Sequence, residues 1–211
     1  MTPTSFLKKC ALVLPLLAAS LAHADAISFT AADITSGAST LSKSHFGTAT
    51  GSGAFDTITM GGYTGFGLAG GLLSPGDYIA FSFYHPSVVD SFTVDFFHAS
   101  TTPNAPNPSV GVLSDFGPAT LTLDSNGYLV FNGGDLFSLN TISAADGIYQ
   151  VLSPFSNTLV MGITFVNIEG LADNPNFALG EVTIDPVPEP ATLTLFATAI
   201  GGIGLLRRRR S

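Results

Sequence analysis

The chain has 211 residues, 45% hydrophobic and only 10% charged, with 23 Gly, 17 Phe and no Trp. So many aromatics with so few charges exclude a disordered chain, and exclude a helical bundle, whose exposed faces need Lys, Glu and Arg. Fifteen acids stand against one cation, Lys43, between Asp25 and Glu189, which excludes nucleic-acid binding because phosphate contacts need clustered Lys and Arg.

At the N-terminus, Lys8 and Lys9 precede an apolar run from Ala11 to Leu21 that ends in Ala22-His23-Ala24. This is the small-x-small pattern after which signal peptidase cuts, and the run is shorter than the roughly 20 residues that cross a bilayer. Residues 1–24 are therefore expected to be a signal peptide, with Ala22 and Ala24 marking the signal peptidase site. The only cysteine, Cys10, falls inside it. The body, residues 25–185, then has no disulfide, no Cys-ligated metal and no Cys nucleophile.

Along the body, apolar residues alternate with period 2. Ile79, Phe81 and Phe83 share one side of Tyr78–Tyr84, and Phe92, Val94 and Phe96 share one side of Ser91–Phe96. Similar runs cover 54–60, 119–123, 128–131, 148–152, 159–166 and 177–184. Such alternation predicts strands with one buried face, with His85-Pro86 and His98 at strand ends. Turn clusters separate the runs, as in Ser74-Pro75-Gly76-Asp77 and Ala145-Asp146-Gly147. The six glycines from Gly61 to Gly71 predict a mobile link or a bulge, and the prolines between Thr101 and Pro108 a surface loop. Short strands broken by frequent turns predict an all-β fold, an antiparallel β-sandwich.

The body offers little catalytic chemistry. No Gly-x-Ser-x-Gly elbow accompanies His45, His85 or His98. Asp77, Asp124, Asp135 and Asp146 all sit in turn clusters, where carboxylates bond nearby amides. A non-enzymatic protein is expected, with a secreted glycosidase, which needs two carboxylates about 5–9.5 Å apart, as the remotest reading. Calcium is the one cofactor such acids would suit, with loop oxygens of Asp124, Asn126, Asp173 and Asn174 as weak candidates. Asp124-Ser125-Asn126-Gly127 begins like an EF-hand loop but lacks its closing Glu. Sugar binding would use Tyr63, Tyr84, Tyr128 or Tyr149 as platforms in the absence of Trp. Thr57-x-Thr59 and Thr120-x-Thr122 are isolated pairs, not the flat, regular Thr array that ice binding would need.

The C-terminus reads Pro188-Glu189-Pro190, then an apolar stretch from Ala191 to Leu206, then Arg207, Arg208, Arg209 and Arg210. As a helix the stretch is about 24 Å long, enough for a thinned bilayer with snorkelling arginines. The arginines act as a stop-transfer signal and set the orientation, leaving the body outside the inner membrane. Residues 186–211 closely resemble the PEP-CTERM sorting tail of Gram-negative bacteria, which also carries the label of an ice-binding protein C-terminal domain.

That resemblance implies an exosortase as partner, which recognises Pro188, Glu189 and Pro190. It also implies transient anchoring in the inner membrane, removal of the tail, and a cell-surface or extracellular destination associated with exopolysaccharide. The run from Pro75-Gly76-Asp77 to Phe177–Ile184 resembles the jelly-roll-like domains that precede such tails. Those domains are similar to carbohydrate-binding sandwiches, so a carbohydrate-binding module, calcium-dependent or not, is the alternative expectation.

Overall fold

A computed structural model describes residues 25–98, 108–123, 129–133, 138–168 and 176–187. Asp25–Pro186 forms a compact unit. Its strands are β1 (Ile27–Thr30), β2 (Thr40–Lys43), β3 (Gly47–Gly51), β4 (Asp56–Met60), β5 (Tyr63–Gly67), β6 (Tyr78–Asp95) and β7 (Ser109–Ser114). They continue with β8 (Gly117–Leu123), β9 (Leu129–Asn132), β10 (Ser138–Ser143), β11 (Ile148–Leu152), β12 (Leu159–Asn167) and β13 (Ala178–Pro186). All recorded pairings are antiparallel. Hydrogen bonding runs through one 13-stranded sheet in the order β4-β5-β13-β6-β12-β7-β8-β9, with β1 on β13, β2 on β3, β3 and β11 on β6, and β10 on β11. The all-β expectation holds.

The 18-residue β6 organises the sheet. Its first half pairs with β3 (Gly51↔Ile79 to Gly47↔Phe83), and its second half with β13 (Pro186↔Ser87 to Ala178↔Asp95). Along its other edge, β12 gives way to β11. The alternation pattern predicts two strands here with His85-Pro86 at an end; instead one strand runs through. Pro86 falls between the Phe83 and Ser87 pairings, where the partners change and the β12 register shifts, so its missing N–H interrupts no ladder. Phe96 lies just beyond the strand with φ of 61° and is buried.

The Gly61–Gly71 segment also departs from expectation. It is not a mobile link: Gly61-Gly62 closes a hairpin between β4 and β5, pairing Met60 with Tyr63 and Asp56 with Gly67. The positive φ of both turn glycines suits a two-residue hairpin. At the other breaker, Ser74-Pro75-Gly76-Asp77 turns as expected, with Gly76 at φ 89° and the Asp77 carboxylate accepting from the Ser74 N–H at 2.9 Å.

The core is a chain of phenylalanines. Phe81 meets Phe29, Phe46, Phe66 and Phe165 at centroid distances of 5.4 to 6.5 Å. Phe92 meets Phe165 at 5.0 Å and Phe131 at 6.1 Å. Phe131 belongs to β9, at the far end of the strand order from β6, so the sheet curls back to seal its own apolar face. Each such pair contributes about 0.5–1.5 kcal/mol beyond its burial.

Candidate functional site

Every residue singled out for sorting, processing or calcium lies outside the described residues: Ala22, Ala24, Asp124, Asn126, Asp173, Asn174, Pro188, Glu189, Pro190 and Arg207 to Arg210. So does the apolar stretch 191–206. Among the described residues no helix is long and apolar enough to cross a membrane, and no three His, Cys, Asp or Glu residues converge on a metal-sized site.

What the described residues do form is a groove of about 390 Å³ on the outward side of β6, β12 and β7. Ala80 and Ser82 of β6 and Gly162 and Thr164 of β12 make a floor of small side chains, because they are cross-strand partners pointing away from the core. Gly162 permits the close approach of β12. A Cβ there would stand 2.4 Å from the Phe81 carbonyl oxygen. The register shift between Val160 and Gly162 turns Met161 outward, 49% exposed, and Leu113 of β7 rises beside the floor. The Asp115 carboxylate lies at the end of the groove and accepts the Met161 N–H at 2.8 Å. The result is an amphiphilic trough: hydroxyls and one carboxylate between two apolar side chains.

The aromatic platforms divide. Tyr84 is 51% and Tyr63 36% exposed, whereas Tyr149 is buried and leaves the list of sugar platforms, and Tyr128 lies outside the described residues. Phe116, 54% exposed next to Asp115, was not predicted. The sequence signal for it was its place beside Asp115 and Gly117, a turn where a phenylalanine has no core to enter.

Two carboxylates have raised pKa values. Asp95 is 3% exposed, Oδ1 lacks any hydrogen-bond partner, and burial lifts its pKa to about 6. Asp90 is raised first by burial and then by repulsion from Asp185. Neither lines the groove, whose one acid is Asp115. Asp77 and Asp146 have the turn roles expected of them, Asp146 accepting from the Ser143 hydroxyl at 2.6 Å.

Residues 186–210 fit the family model described as the PEP-CTERM protein-sorting motif. No curated protein matches the chain.

Proposed function

We propose, for a chain that carries a PEP-CTERM protein-sorting tail, the role of a non-enzymatic, jelly-roll-like β-sandwich that exosortase delivers to the cell surface or extracellular matrix, where it associates with exopolysaccharide. The motif at residues 186–210 carries this reading. It implies an exosortase-sorted extracellular protein. The signal peptide ending at Ala24 would start export. The stretch 191–206 with Arg207–Arg210 would then hold the body outside the inner membrane, and Pro188-Glu189-Pro190 would present the tail for removal. A double substitution, Pro188→Ala with Glu189→Ala, tests it in the native host: uncleaved precursor should accumulate in the inner membrane. Normal tail removal would refute exosortase recognition.

The groove supports a second reading, a carbohydrate-binding module. Sugars present hydroxyls on their rims and C–H surfaces on their faces. Ser82, Thr164 and the Asp115 carboxylate suit the first, Leu113 and Met161 the second. A glycan array with and without chelator separates the readings. Ser82→Trp, which would fill the groove from an exposed strand position, should abolish any binding found. Binding to no glycan removes the module reading, and binding or melting insensitive to chelator removes calcium.

A further inference from the structure

Asp95 occupies an unusual place. It ends β6, pairs with Ala178 at the start of β13, and its carboxylate packs over two glycines. A Cβ on Gly180 would stand 2.7 Å from both carboxylate oxygens, and one on Gly65 would stand 3.0 Å from Oδ2 and 3.2 Å from the Leu179 carbonyl oxygen. The slot therefore exists only because β5 and β13 lack side chains there. β5 in turn is tied to β13 by a single ladder pair, Leu179↔Phe66, beside this slot. The backbone contact of the β4–β5 hairpin with β13 thus lies beside one buried acid, while Phe66 anchors the same strand in the core.

We propose that Asp95 is a proton-operated clamp on the β4–β5 hairpin: neutral, it carries no charge into its dry slot and lets β5 lie against β13, and ionised, it draws water in and loosens the hairpin. An ionised carboxylate whose buried Oδ1 finds no donor loses its hydration without replacement, whereas a protonated one buries no charge. No cation offsets the charge. Lys43, the only Lys or Arg among the described residues, is engaged 2.7 Å from Asp33. The titratable groups on the elements packed around the slot are Tyr63 of β5, Asp56 of β4, Glu181 and Asp185 of β13, Tyr149 of β11, Asp146 of the preceding turn, Asp90 on the same strand and His98 just beyond it. None of them shifts Asp95, whose raised pKa of about 6 has burial as its cause.

The sign follows from the folded state holding this proton to higher pH than the unfolded state. The clamp is fully closed below the ordinary carboxylate pKa of 3.8 and weakens as pH rises through about 6. The difference corresponds to about a hundredfold in the closing equilibrium. Carbon-detected NMR of the full chain in a non-ionic detergent should show the Asp95 carboxyl titrating near pH 6. Amide exchange along β5, corrected for its intrinsic pH dependence, should quicken up to about a hundredfold between pH 4 and pH 7.5. Asp95→Asn should hold β5 protected throughout, while Asp90→Asn should leave the β5 transition in place. An Asp95 midpoint near 4, or the same pH dependence in Asp95→Asn, would overturn the clamp. Should Asp95→Asn not fold, the wild-type chain decides: β5 exchange that quickens with the same midpoint as the Asp95 carboxyl supports the clamp, and a β5 transition at a different pH overturns it.

Discussion

Asn167 is fully buried in β12, where its side-chain N–H donates to the Leu73 carbonyl at 2.8 Å. Its backbone also accepts from Gly76 and donates to Asp77, so Asn167 and the Leu73–Phe177 bridge together hold the Leu73–Asp77 turn to the sheet. Replacing it with Leu leaves the Leu73 carbonyl only the longer bond from the Phe177 N–H at 3.3 Å, and should lower stability by about 1 kcal/mol in a urea melt. Asp90 offers a pH test at the same scale. Burial and then Asp185 raise its pKa, so the stability it contributes is present in acid and lost as pH rises above the ordinary carboxylate range. Asp90→Asn is expected to raise the melting temperature at pH 7 and leave it unchanged at pH 3. Equal effects at both values would assign Asp90 a packing role instead. Asp90 and Asp95 look in the sequence like the other strand acids. What distinguishes them is burial by β13 and β5, which no spacing within β6 records.

Among the elements, β6 shows how far alternation reaches. Ile79, Phe81 and Phe83 are buried while Tyr78, Ser82 and Tyr84 are exposed, as period 2 demands. From Ser91 onward the pattern fails, since Ser91, Thr93 and Asp95 are buried alongside Phe92 and Val94. The last five residues of the strand are covered on both faces, so polarity no longer marks an outside. The groove depends on the same strand and its neighbour. Gly162→Val would force β12 away from the Phe81 carbonyl, and is expected to cost about 3 kcal/mol or more and to erase any groove binding. Strands 148–152 and 159–166 were readable from their β-branched and aromatic alternation. β5 was not, because Gly65 and Gly67 replace the side chains that carry such a signal.

At the scale of the molecule, β13 is both the last strand among the described residues and one of the most central. It pairs with β1, β5 and β6, and Val182 and Ile184 are fully buried. Its ladder ends at Pro186, and Val187 is 43% exposed immediately before Pro188-Glu189-Pro190. A chain ending at Val187 should therefore keep the cooperative melt of the body, whereas one ending at residue 176 should not fold. Circular dichroism melts of both truncations check this. Loss of cooperativity in the longer one would show that the tail supports the fold.

The alternating runs, the turn clusters and the sorting motif were all determined by the sequence alone, because each is a local pattern: a short peptide, a hydropathy run or a period of two that sorting machinery or a single strand reads in order. Tertiary structure decided the rest. The groove joins residues from β6, β7 and β12, and the Asp95 slot joins residues 65, 95 and 180. In both, glycines let backbones approach closely, and the resulting desolvation and shape depend on neighbours distant along the chain, which one-dimensional order does not carry.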